Sequence, residues 1–302
     1  MPNDRNDFTP EIRNTALWSG DSRKIARCDT AGVVLEKLGR LEIPDLSGEE
    51  HVQMGHKMQP VVAKIFEEQH GAYLREADYL LTHPKYSFIK SHFDYISDSG
   101  DYLVECKNYN AGSIQYYSDP DEPVRVSEGD YAQCLHEAIV HQVDTVYLAI
   151  LFGGQRYRDF KLTFTDEQKE DWIKKLAEVW GMIQTNTIPD PSTPDQARDV
   201  WPVDDGHTIV ASKDIEFYCN TLKGWKEQAK GIEAKIEELQ TQIMNHMGTR
   251  SELRAVDGKT LATWKTAKGS KRFDPKLFQQ AMPDLYNQFV VETIGSRRFL
   301  VK

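Results

Sequence analysis

His92-Phe93-Asp94-Tyr95-Ile96-Ser97-Asp98-Ser99-Gly100-Asp101-Tyr102-Leu103-Val104-Glu105-Cys106-Lys107 reads as two short strands around a turn at Asp98, Ser99 and Gly100, a β-hairpin. Side chains alternate along a strand, so Leu103, Glu105 and Lys107 share one face. A carboxylate followed by an acid-x-base pair on the next strand can hold a divalent cation and activate water. Asp94 and Glu105 supply hard oxygen ligands and the Cys106 carbonyl a third, with positions left open for water and phosphate. Lys107 would orient or deprotonate the nucleophile, or neutralise developing charge. The same residues would also suit a cross-strand ion pair on a solvated edge, and the hairpin alone does not choose between the two.

Upstream of the hairpin, the first 17 residues are polar and read as loosely ordered. Trp18 opens a segment carrying Arg23 and Arg27, read as an N-terminal loop that could grip phosphate or be ordinary surface. Thr30 to Leu38 reads as a helix stopped by Gly39, and Ser47 to Glu50 as the capping box of a helix ending at Gly71. On that helix Gln59 falls on the inward stripe, and Pro60 marks a kink or a restart. Short strand pieces are expected at Ala77 to Leu81 and Ser87 to Lys90.

Downstream, Ser127 caps a helix from Tyr131 to His141 that carries Tyr131 and Gln133. Thr145 to Phe152 is nearly continuous in apolar residues, as a strand covered on both faces should be. Gly153-Gly154 turns it into a second strand, and Thr165 to Gln168 opens an amphipathic helix. This order predicts an α/β core with a mixed central sheet flanked by helices.

A Pro- and Ser-rich stretch then separates residues 1–186, the expected core, from a C-terminal helical extension at 214–302, with 187–213 as linker. In the extension Ile215, Tyr218, Leu222, Trp225, Ala229, Ile232, Ile236, Leu239 and Ile243 recur three and four apart, a heptad seam. The seam suits an intramolecular helical hairpin, the favoured reading, or an oligomer or partner interface. Between Thr249 and Lys276 eight basic residues face three acids, on a chain of net charge −10. That asymmetry fits a local phosphate-facing surface on an acidic body, or equally a solvated charged face.

No apolar run reaches the ~18–20 residues of a membrane span. Met1 to Arg5 lacks the basic start and apolar core of a signal peptide. Cys28, Cys106, Cys134 and Cys219 lie far apart with no C-x-x-C spacing, which predicts reduced thiols in a cytoplasmic protein.

Four blocks taken in order resemble the YqaJ-type viral recombinases, the lambda-exonuclease-like branch of the PD-(D/E)XK nucleases. They are Trp18 with Arg23, Arg27, Cys28 and Asp29; Gly55-His56-Lys57-Met58-Gln59-Pro60; Asp94 with Glu105 and Lys107; and Tyr131-Ala132-Gln133 ahead of Gly153-Gly154. The resemblance spans residues 15–185 and implies a PD-(D/E)XK restriction-endonuclease-like core. It also implies a Mg²⁺-dependent exonuclease (Mn²⁺ substituting) that degrades one strand of linear double-stranded DNA from its 5′ end. The 3′ tail would pass to a phage single-strand annealing protein, in a bacterial host cytosol, from a homo-oligomer shaped as a trimeric ring. Catalysis would rest on Asp94, Glu105, Lys107 and Gln59, the metal on Asp94, Glu105 and the Cys106 carbonyl, and DNA contact on Trp18, Arg23, Arg27, Tyr131 and Gln133. The family pattern has Glu where this chain has Gln59, and an amide can neither balance cation charge nor accept a proton. A weakened or inactive DNA-end-binding scaffold is therefore the alternative, with a restriction-type endonuclease as a third reading.

Overall fold

The computed structural model describes residues 10–41, 46, 48–77, 80–291 and 295–302. It divides into two compact units, residues 1–202 and 203–302. Unit 1 is built on a five-stranded mixed sheet. In spatial order its strands are β1 (Leu74–Glu76), β4 (Tyr95–Ser97), β5 (Tyr102–Tyr109), β6 (Thr145–Phe152) and β7 (Arg156–Thr163). Only β5 and β6 run parallel, and their crossover is α5 (Glu128–His141). The 92–107 hairpin forms as expected, Tyr95 opposite Val104 and Ile96 opposite Leu103, with Gly100 turning at φ +80°. Gly153 and Gly154 turn β6 into β7 at φ +59° and +69°, a conformation that costs a glycine little and a residue with a Cβ more.

The sheet is covered on both faces. On one, α4 (Glu50–His70) buries Val62, Ala63 and Phe66 against Val104, Cys106, Ala149 and Leu151. On the other, α5 packs Cys134, Leu135, Ala138 and Ile139 against Leu103, Val146, Leu148 and Ile150. Each such fully buried aliphatic or aromatic side chain contributes about 1.5–3 kcal/mol. That two-sided burial explains the apolar run of β6. Helix α4 runs on through Pro60 and ends at Gly71 in the left-handed region. Its N-cap position is held by Glu49, and the expected cap Ser47 lies outside the described residues. The same is true of residues 1–9 and of Asp78 and Tyr79 in the first expected strand piece. Of the described residues in the two expected strand pieces only Leu81 and Lys90 lie in strands, where β2 (Leu81–Thr82) pairs with β3 (Lys90–Ser91) as a two-stranded ribbon displaced toward the C-terminal end of each piece.

Two expectations about the N-terminal part are corrected. The described residues before Trp18 include a short helix, α1 (Pro10–Arg13), and Leu17, fully buried, bonds to the backbone of Phe88 and Lys90. The arginine-bearing segment is not a loop, because α2 (Ser19–Ala26) is helical, started by the Asp21 carboxylate accepting from the Trp18 N–H at 2.8 Å. The short polar residues that suggested a loop are what α2 uses to dock. Asp21 pairs at 2.6 Å with Lys37 of α3 (Thr30–Lys37), and both side chains are buried. Ser22 sits between α5 and α6 (Asp166–Gln184), accepting from Trp172 Nε1 at 3.1 Å and meeting His136 Nδ1 at 2.8 Å.

The other nitrogen of His136 lies 2.9 Å from the Lys90 carbonyl, which can only accept, so Nε2 carries the proton and Nδ1 accepts from the Ser22 hydroxyl. Burial pushes the imidazole down to about 4, the Lys90 carbonyl offsetting it only in part. The neutral ring is therefore the folded form. Unfolding lets it take a proton below pH ~6.5, so its contribution is full above that value and is lost as pH falls toward about 4. Denaturant titrations should show stability falling by on the order of 2–3 kcal/mol across that window, and the slope should flatten in His136→Asn. An unchanged slope would remove His136 as the pin between α2, α5 and β3.

The stretch expected as a linker is partly structured, since Thr193 caps a short helix, α7 (Pro194–Val200), that packs on α3. Unit 2 holds one long helix, α8 (Lys213–Met247), a β8–β9 hairpin (Glu252–Arg254, Thr260–Thr263) and two short helices, α9 (Pro275–Ala281) and α10 (Pro283–Gln288). Among the described residues the favoured intramolecular hairpin, with residues 259–289 folding back on the seam, is not found. Those residues form the hairpin and short helices, while Tyr218, Trp225, Ile232 and Leu239 on α8 remain exposed.

Candidate active site

Asp94 lies one residue before β4, and extending the register places it opposite Glu105, where opposed Cβ atoms are about 4.5–5.5 Å apart. Both side chains are buried. Asp94 Oδ2 accepts from the Cys106 backbone N–H at 2.9 Å, completing a ladder that β4 does not reach. Its Oδ1 accepts from Gln59 Nε2 of α4 at 2.8 Å. The inward Gln59 thus reaches the first carboxylate, where the amide acts as a donor.

Glu105 Oε1 accepts from Lys107 Nζ at 2.5 Å and from Gln133 Nε2 at 2.6 Å. Burial pulls the Lys107 ammonium down, but Glu105, then Tyr109 and Asp94, more than offset it and hold the group above the usual lysine range. A lysine so held stays charged and acts as donor and cation. Two adjacent buried carboxylates match a hard cation that keeps several waters and needs only one or two protein carboxylates. Among the described residues no cluster of three or more His, Cys, Asp or Glu could hold a metal, consistent with an amide at position 59.

Behind Glu105 lies a network that the sequence reading missed. Gln133 Nε2 also donates to Glu137 Oε1 at 2.9 Å, and its Oε1 accepts from Arg23 at 3.2 Å. Glu137 is fully buried, its other oxygen finds no partner, and burial followed by the Glu105 charge pushes its acid well up from the ordinary carboxylate range. Arg23 spans to Asp130 at 3.1 Å and to the Tyr109 hydroxyl at 3.2 Å, and Tyr109 in turn donates to Asp130. Tyr117 and Ser127 complete the shell around Asp130. Arg23, Tyr109, Tyr117, Ser127, Arg27 and Arg125 line a cavity of about 590 Å³. Arg27 lies so close over α5 that a Cβ on Gly129 would meet its Nε at 2.7 Å.

The sequence candidates therefore separate. Asp94, Glu105, Lys107, Gln59 and Gln133 are brought together, and Arg23 joins them through Gln133. Trp18 is buried, donates to the Arg13 carbonyl and stacks on His92, so its indole anchors the N-terminal segment. Tyr131 bonds to Gln168 of α6 and packs edge-on to Phe164, on another face of α5 from Gln133. Two missed residues had a signal: Tyr109 continues the Glu105–Lys107 alternation, and Glu137 is one helical turn beyond Gln133.

Residues 24–144 match the family described as YqaJ-like viral recombinase domain. The chain is 25% identical over 288 residues to the uncharacterized protein YqaJ of Bacillus subtilis (strain 168), covering 89% of this chain and 84% of that protein. Among solved structures it is similar to the alkaline exonuclease LHK-Exo of Laribacter hongkongensis (12% identity, TM-score 0.46, 59% of this chain and 92% of the other). A phage related exonuclease from Haemophilus somnus 129PT is similar too (12% identity, TM-score 0.47, 59% of this chain and 97% of the other).

Proposed function

We propose that unit 1, whose residues 24–144 match the YqaJ-like viral recombinase domain, hydrolyses phosphodiesters of linear double-stranded DNA as a Mg²⁺-dependent 5′-to-3′ exonuclease in phage-type recombination. The observation that carries this is that Asp94, one residue before β4, and Glu105, on the β5 strand that pairs with β4, are both buried, with Lys107 2.5 Å from Glu105. Asp94, Glu105 and the Cys106 carbonyl would hold the cation, Mg²⁺ or Mn²⁺, which supplies polarisation of the scissile phosphate and a lowered water pKa. Lys107 donates to the attacking water or to a phosphate oxygen and offsets charge that grows in the transition state. Gln133 bridges Glu105 and Glu137 through one amide nitrogen and so fixes the Glu105 rotamer. The working unit on this reading is a homo-oligomer, a trimeric ring, that hands the 3′ strand to a single-strand annealing protein.

The arginine-lined cavity shares Arg23 and Tyr109 with the same network, and Arg27 and Arg125 there suit the backbone of the strand being threaded. Arg27→Ala should weaken duplex binding at all sequences alike and reduce the slope of log K against log salt by about 1. An unchanged slope in a fluorescence-anisotropy titration would remove Arg27 from the DNA path. The test of the activity itself is end-labelled linear duplex with Mg²⁺ or Mn²⁺, against closed circular DNA. Shortening of the linear form alone supports an exonuclease, cutting of circles the endonuclease reading, and salt-dependent binding without cleavage the scaffold reading.

A further inference from the structure

Helix α8 is 35 residues long, about 52 Å, and of its side chains only Met247 is buried. Its seam assigns Ile215, Leu222, Ala229, Ile236 and Ile243 to heptad position a, and Tyr218, Trp225, Ile232, Leu239 and His246 to position d. Trp225 is 65% and Leu239 59% exposed. A solvated helix does not sustain nine apolar seam residues without something to cover them.

We propose that the cover is α8 of a second copy, packed antiparallel and centred between Lys230 and Gly231. An antiparallel pair sets each a residue against a d residue of the other helix. Centred there, the two helices overlap along their whole length, with Leu222 against Leu239, Trp225 against Ile236 and Ala229 against Ile232, each layer occurring twice by the two-fold axis. The parallel alternative stacks Trp225 on Trp225 and leaves Ala229 facing Ala229, overfilling one layer and hollowing the next. The flanking charges choose the same register. Only Asp214, Lys226, Glu233 and Lys235 are charged at the e and g positions between 214 and 247. In the centred register Lys226 faces Glu233 of the other copy, twice. A shift of one heptad one way sets Lys226 against Lys226, the other way Glu233 against Glu233, and the parallel arrangement pairs neither with an opposite charge. Gly224 and Gly231 fall at position c, away from the seam, where they weaken the isolated helix and leave the interface intact.

The test uses the full chain with its two exposed thiols removed, Cys28→Ser and Cys219→Ser. Oxidising a mixture of Lys226→Cys and Glu233→Cys chains should give an inter-chain 226–233 disulfide, identified by peptide mass. Either chain alone should give at least tenfold less, because residue 226 lies about 10 Å along the axis from its own copy. A mixture of Thr221→Cys and Lys226→Cys chains reports the parallel arrangement and should stay unlinked. Light scattering should show Ile232→Glu/Ile236→Glu lowering the mass, by half where the α8 pair is the link between two equal assemblies. A 221–226 link, the absence of any link, or an unchanged mass in the seam variant overturns the proposal. None of these readouts depends on nuclease activity, so failure here and failure of the nuclease reading are told apart.

Discussion

Lys107→Ala should lower the rate of linear-duplex degradation by about 10²–10⁴-fold while leaving a folded protein, the range expected when a positioned proton-handling or charge-stabilising group is lost. The ammonium lies 2.5 Å from Glu105 and is held charged by that carboxylate. On the proposed reading, removing it takes away a donor to the reacting phosphate and leaves any cation site on Asp94 and Glu105 in place. Folding survives because Glu105 keeps the Gln133 amide as a donor. Stability still falls, since a buried carboxylate has lost its charged partner. Lys107→Arg separates the two effects: it keeps the charge and most of the stability but moves the donors, so its activity should fall while its Tm stays near that of the parent. Full activity in Lys107→Ala would make the pair a structural ion bridge and end the nuclease assignment.

The parts of this molecule that were legible beforehand are those decided by neighbours in sequence. The hairpin needs only the Ser-Gly turn and alternation, the start of α5 only Ser127, whose side chain accepts from the Asp130 N–H, and β6 only its unbroken apolar run. Asp94, Glu105 and Lys107 belong to the same local unit, which is why the centre could be read at all. Around them the sequence was silent for a physical reason. Arg23 meets Gln133 across 110 residues and Ser22 meets His136 across 114, contacts that exist only once α2 has docked on α5. No periodicity encodes that docking. The same small polar residues that suggested a phosphate-gripping loop are consumed as helix start, ion pair and hydrogen-bond bridge. The α8 seam was read from its spacing, but its favoured cover was not, because an apolar stripe reports that a partner is needed and not which segment provides it.

Gln59→Glu tests the one position where the chain departs from the family pattern, and two opposite effects are expected of it. The Gln59 amide donates to Asp94 Oδ1 at 2.8 Å. A carboxylate in its place removes that donor and brings like charges together, so without divalent ions the variant should melt several degrees below the parent. A cation between the two carboxylates reverses the sign, because both become ligands. Added Mg²⁺ or Mn²⁺ should therefore raise the Tm of the variant more than that of the parent, by linkage to binding. The metal concentration for half-maximal DNA degradation should fall by about tenfold or more as the ligand set gains a charge. If the chain as written is silent, degradation should appear only in the variant. A variant that melts lower and gains nothing from either cation would show that position 59 faces no metal, and with it that Asp94 serves the strand end alone.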